Sequence, residues 1–312
     1  MPKFWVSLAL LLSLVPPLWG EALDLTFSKG SLENTLFEDV RYQKLGRLSL
    51  EQAALIASGV SQRELPLYHQ KIDALYNRIA LSLPFKKLPL LDRAEFILVF
   101  LHQTVFKKYD ASATEIQKTL DQGLFNCVSA TLLFNILCER FHIKTVGLEI
   151  PTHLDAAVLD PGRPRKFFEV QTTIPLGFWV KDSTVNEFVY DSKVQTWKGK
   201  RPVEGSRLIA VIYYNRGMDW IRQNRMEEAL PFYLKAYELD PHFPDLERII
   251  AALYVEWGNQ YFKNTDYKRA VEIYSEGIEF LKDRRKTWPI LERNRSAALL
   301  NQERMRQCLE KI

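Results

Sequence analysis

A pattern that repeats along a chain leaves little freedom about architecture. Tyr213, Gly217, Trp220, Ala229, Tyr233 and Ala236 recur 41 residues later as Tyr254, Gly258, Tyr261, Ala270, Tyr274 and Gly277, with identical internal spacings. A third, weaker copy, shifted by a further 38, gives Ser296, Leu299 and Cys308. A unit that recurs in this way stacks on its neighbours, because one copy alone cannot bury its apolar face. Small residues then belong where two helices touch, and aromatics fill the groove between them. From about Val211 onward the chain reads as purely helical.

With Pro241 following Leu239-Asp240 at the end of the first unit, this pattern resembles the tetratricopeptide repeat. The resemblance covers about 100 residues of the chain. Spacings longer than the family's usual ~34 residues imply extended helices or longer turns between units. A stack of such units offers a concave surface, so the resemblance implies a protein or peptide partner.

The other end of the chain reads as an export signal. Lys3 supplies a positive charge, Phe4 to Val15 is almost unbroken apolar sequence, and Pro16-Pro17 breaks it. Gly20 and Ala22 are small residues at the two positions a signal peptidase reads, which predicts a cut after Ala22. The run falls short of the ~20 apolar residues a transmembrane helix needs; an uncleaved anchor is the alternative. No cysteine lies near the cut to carry a lipid, and no later stretch is apolar enough to span a bilayer. The expectation is an exported mature protein, periplasmic or secreted, with no stable membrane span after cleavage.

Composition narrows the function classes. Of 312 residues, 47% are apolar and 26% charged, as in globular rather than disordered chains. The net charge of +4 is unchanged when Lys3 and Glu21 leave with the signal, and it is too small and too spread out to argue for nucleic acid. Five histidines and three cysteines show no ligand spacing such as CxxC or HExxH, so no metal is indicated, and no organic cofactor is implied.

Between the signal (1–22) and the repeats (206–312), residues 23–46 read as a leader or arm and 47–205 as a domain. Ser49 reads as the N-cap of a helix that Gly59 ends. Helices are predicted at Pro66 to about Leu83, Leu91 to Lys108, Ser112 to Leu120 (stopped by Gly123), and Cys127 to Phe141. The last is apolar nearly all round and therefore buried. The pattern then turns β-rich, with strands predicted at Ile143 to Ile150, His153 to Leu159 and Lys166 to Thr172. Asp160-Pro161-Gly162-Arg163-Pro164 forms a turn between the last two. Helices feeding a small antiparallel sheet give an α+β domain, followed by an all-α repeat domain. Pro175 to Gly205, with Phe178, Trp179 and Trp197, either completes the sheet or wraps onto the repeats.

Three segments carry chemistry. Cys127 stands at the start of the buried helix, where the helix dipole and free N–H groups favour a thiolate. Its partner in a disulfide cannot be Cys138, ~16 Å away along the same helix, and Cys308 lies in a different unit. His153 opens a strand, and Glu169 lies on the next one. Adjacent strands are expected to set Glu169 beside His153, both facing the helix tip, so that a thiol, a base and an orienting carboxylate make a nucleophilic triad. Asp155 and Asp160 are rival orienters, Asp155 without evident reach to the far ring nitrogen. Gln122, five residues upstream of Cys127, is a candidate oxyanion donor beside the Cys127 N–H. Arg163, Arg165 and Lys166, and Lys198, Lys200 and Arg201, are solvated loop charges or a site for an anionic polymer.

The run Asn126-Cys127-Val128-Ser129, then Pro151-Thr152-His153, then Glu169-Val170-Gln171-Thr172 resembles the bacterial branch of the transglutaminase-like superfamily, over about Leu48 to Thr173. The resemblance implies a papain-like helix-plus-antiparallel-sheet fold, a thioester intermediate on Cys127, and attack on peptide or isopeptide amides. Two departures stand out: Glu169 replaces the family's usual Asp, and Leu154 follows His153 where an aromatic is common. Relatives with repeats often lack an intact triad. The sequence therefore supports either a cysteine hydrolase or transamidase whose repeats recruit its substrate, or a silent scaffold whose repeats bind a protein partner.

Overall fold

The first unit is built outward from one buried helix. The computed structural model describes residues 32–40, 44–82, 85–150, 153–159, 162, 166–178, 194–196, 200–282 and 287–310. The expected signal peptide lies outside these, as do Trp179 and Trp197. The chain divides into two units, Met1–Ile212 and Tyr213–Ile312.

Helix α1 (Leu32–Asp39) forms where the sequence reads as an arm. Its last residue, Asp39, is buried and accepts the backbone N–H groups of Gly46, Arg47 and Leu48 at 2.9, 2.7 and 3.0 Å. Burial pushes its carboxyl up, but those donors outweigh burial and hold it below the usual carboxylate range. Helix α2 (Leu50–Ala57) opens with a capping box between Ser49 and Gln52. Gly59, at φ 88°, turns the chain out of it, as expected from the sequence. Helix α3 (Leu65–Ala80) starts with Pro66 in its first turn, where a missing N–H is harmless, and α4 (Leu90–Thr104) follows.

A short parallel pair, β1 (Lys108–Tyr109) and β2 (Leu124–Phe125), flanks α5 (Ile116–Gln122). It leads directly into α6 (Cys127–Arg140), whose residues Val128 to Cys138 are all buried. The last turn of α6 is polar for a reason. Arg140 donates to the buried Glu51 of α2 at 2.9 and 2.5 Å and to Asp73 of α3 at 2.5 Å, and His69 of α3 approaches Glu51 at 2.5 Å. One ion cluster thus ties three helices together.

The sheet runs in the order β6-β5-β4-β3-β7, antiparallel throughout: β3 (Thr145–Ile150), β4 (His153–Leu159), β5 (Lys166–Val170), β6 (Val194–Thr196) and β7 (Arg201–Val203). The segment from Pro175 to Gly205 therefore supplies both outer strands. Val146, Leu148, Ala157 and Phe167 form a core cluster on one sheet face. Gly147 is required on the other, where a Cβ would lie 2.7 Å from Leu208 Cδ1.

The second unit continues α7 (Ser206–Arg222) from Tyr213 and adds α8 (Met226–Leu239), α9 (Leu246–Lys263), α10 (Tyr267–Lys282) and α11 (Pro289–Leu309). The repeat pattern maps onto its core. Tyr213, Tyr233, Tyr254 and Tyr274 are among the largest fully or nearly fully buried side chains. A Cβ on Gly217 would sit 3.1 Å from the Tyr233 ring, and one on Gly258 only 2.2 Å from the Tyr274 ring. The third copy does not give a helix pair: Ser296, Leu299 and Cys308 all fall on α11, where they are exposed, and the residues packed inward are Leu291 and Ala298.

Candidate functional site

The turn before α6 is clamped before any chemistry is considered. Asn126 is its N-cap: Oδ1 accepts the N–H groups of Val128 and Ser129 at 2.9 and 3.1 Å, and Ser129 Oγ accepts the Asn126 N–H at 3.0 Å. The other end of the Asn126 amide donates to Ala111 O (3.1 Å) and Thr114 Oγ1 (2.8 Å), while Ser129 Oγ donates to Ala113 O (2.7 Å). Cys127, next in line, is partly exposed at the first helical position. It is a free thiol, as are Cys138 and Cys308. Cys138 is fully enclosed, and burial pushes its thiol well above the ordinary range. Of the three, Cys127 alone combines access with a helix start.

His153 is the first residue of β4. Its Nε2 lies 3.0 Å from Asp155 Oδ1, and the Asp155 side chain is 7% exposed. The two atoms are close without being aligned as a hydrogen bond, so the attraction is that of an ion pair. Asp155 first, and the Cys127 sulfur second, favour the protonated ring strongly enough to overcome burial and push His153 up to about 10. Tyr109 is about half exposed; burial first, and its electrostatic interaction with Cys127 second, raise its phenol.

The carboxylate is the correction. Glu169 stands opposite Ala157, four residues along β4 from His153, or ~13 Å at strand spacing. Its carboxylate pairs with Lys200. The register sets this: β5 pairs Val170 with Ala156, which carries Glu169 away from the strand end where His153 lies. Asp155 reaches the ring because residues two apart on a strand share a face. That spacing is readable in His153-Leu154-Asp155, although the sequence ranks Asp155 behind Glu169. Gln122 ends α5 and is exposed; the Gly123 turn and β2 separate it from Cys127. Asp160, Arg163, Arg165 and Lys198 lie outside the described residues, and Arg201 is paired with Glu149.

Among the described residues no group of three or more His, Cys, Asp or Glu side chains is placed to hold a metal, and no helix is long and apolar enough to cross a membrane. In the second unit, a cavity of about 330 Å³ is lined by Asn224, Arg225, Glu228, Trp257, Gln260 and Tyr261, at the turn between α7 and α8 and the facing side of α9.

The helical hairpin at that cavity is where the chain matches a known family. Residues 210–243 match the tetratricopeptide repeat. The match runs from Ala210 in α7 through α8 and the turn after it, and the same residue pattern recurs on α9 and α10. Such repeats point to protein–protein interaction. No curated protein and no solved structure matches the chain.

Proposed function

We propose that the first unit is a transglutaminase-like thiol acyltransferase or hydrolase, acting outside the cytoplasm on peptide or isopeptide amides that the tetratricopeptide repeats recruit. What supports this reading is the convergence on His153, at the start of β4, of the Asp155 carboxylate 3.0 Å away and the sulfur of Cys127 at the start of a buried helix, both of which favour the protonated ring. In this reading the sulfur attacks the amide carbonyl carbon, with the Cys127 backbone N–H at the developing oxyanion. The C–N bond breaks as the His153 imidazolium gives its proton to the leaving amine, leaving a thioester on Cys127. His153, now neutral, takes a proton from water or from a substrate amine, which attacks the thioester. A carboxylic acid or a new amide leaves, and the starting ion pair is restored. Asp155 takes the orienting role that the sequence assigned to Glu169.

Alkylation by iodoacetamide across pH tests this. Cys127 is expected to react much faster at neutral pH than the exposed Cys308, and His153→Ala is expected to bring its rate down to that of Cys308. Ordinary reactivity in the unaltered protein defeats the enzymatic reading. The second reading, supported by the repeat match, then stands: a silent transglutaminase-like scaffold whose repeats bind a protein partner.

A further inference from the structure

Behind the sulfur and the ring, buried polar groups join elements that sequence separates widely. Thr131 lies on α6 one helical turn after Cys127 and is fully buried. Its hydroxyl donates to the carbonyl of Leu154 at 3.3 Å, and Leu154 sits on β4 between His153 and Asp155. The hydroxyls of Thr131 and Thr172 are 2.9 Å apart. With the Thr131 proton directed at Leu154, Thr172 is the donor in that second bond. Thr172, also fully buried, lies just beyond β5. Its carbonyl accepts from His102 Nε2 on α4 at 3.0 Å.

His102 is held in turn. Its ring stands edge-on to Phe106 at 5.0 Å and to Phe125 at 5.8 Å, and Phe125 is two residues before Cys127. A carbonyl only accepts, so His102 Nε2 carries the hydrogen of that bond, and burial lowers the ring more than the bond to Thr172 raises it. The chain of contacts runs from α4 through the segment after β5 to the nucleophile's helix, and ends at the peptide unit between the base and its carboxylate.

We propose that Thr131, Thr172 and His102 form a positioning bracket that fixes the spacing between the Cys127 sulfur and the His153 ring. The inference rests on the reading of Cys127 and His153 as a nucleophile and its base. A helix packed on a strand by apolar side chains alone slides at little cost, because dispersion contacts are not directional. A buried hydroxyl held by its acceptor does not slide freely, since losing that partner leaves it unsatisfied in a dry interior. Neither hydroxyl has solvent to fall back on.

Valine matches threonine in shape and lacks only the hydroxyl, so Thr131→Val and Thr172→Val remove the bracket while filling its space. The pH profile of Cys127 alkylation is the readout, with circular dichroism and urea unfolding confirming that each variant is folded. Each valine variant is expected to shift the profile toward slower alkylation, with about a tenfold loss of rate at neutral pH. The double variant is expected to shift it no further than one of the singles, because the two hydroxyls act in series. Thr131→Ser, which restores the hydroxyl, is expected to restore the profile. Folded valine variants with the unaltered protein's profile overturn the bracket and leave the nucleophile reading intact. If the unaltered protein itself reacts as an ordinary thiol, the nucleophile reading fails and takes the bracket with it.

Discussion

Asp155 owes its place to a spacing of two. In an extended strand that separation puts two side chains on the same face, and here it sets a buried carboxylate 3.0 Å from the ring nitrogen of His153. His153 is therefore expected to titrate near 10 by NMR, and Asp155→Asn is expected to return it toward the ordinary ~6.5, whereas Glu169→Gln leaves it where it is. Stability follows with a definite sign. The folded ring binds its proton more tightly than the unfolded one, so its contribution is fully present below the unfolded value of ~6.5 and is lost as pH rises toward about 10. Urea midpoints measured across that window are expected to fall with pH, and to fall less in Asp155→Asn. The placement of Cys127 and His153 at the start of an element is legible in the sequence. Which carboxylate lies beside the His153 ring is not, because choosing between Asp155 and Glu169 requires the register of β5 on β4. That register is set by long-range pairing of Val170 with Ala156 and Phe168 with Val158.

Elements with their own punctuation are the ones the sequence locates. Ser49 and Gly59 bound α2, Gly123 ends α5, and Asn126 starts α6, each by local hydrogen bonding or by a backbone angle that only certain residues accept. Helix α1 is missed because its role is tertiary: Asp39 ends it by capping a turn seven to nine residues on. Strand β7 is missed because three residues carry no periodicity, and it forms on the edge that β3 offers. Two substitutions probe the elements. Asn126→Ala removes the cap of α6 and strands Thr114 and the Ala111 carbonyl, and it is expected to cost about 2 kcal/mol in urea unfolding. Glu51→Ala leaves the part-buried Arg140 with Asp73 as its remaining carboxylate, and a cost of about 2 kcal/mol is expected, smaller than for a fully enclosed pair because the guanidinium keeps some water.

Two compact units are expected to respond separately to damage in one of them. The repeat offers a graded test, because equivalent glycines differ in clearance. Glycine in a helix interior costs about 1 kcal/mol relative to alanine, so Gly→Ala gains that much wherever a methyl group fits. At Gly217 the methyl would stand 3.1 Å from the edge of the Tyr233 ring, tight enough to cancel the gain, and Gly217→Ala is expected to be nearly neutral. At Gly258 it would stand 2.2 Å from the Tyr274 ring, which is fully buried and hydrogen-bonded to Asn259 at 2.8 Å. That ring cannot swing away without breaking the bond and opening the α9–α10 interface. Gly258→Ala is therefore expected to destabilise the second unit by about 2 kcal/mol. Urea unfolding monitored by the fluorescence of Trp257, buried on α9, reports that unit. The iodoacetamide rate at Cys127 reports the other. An early loss of the Trp257 signal, with Cys127 still protected or reactive as before, is the expected pattern; simultaneous loss of both would show one cooperative molecule, with repeats that unfold only when the site does.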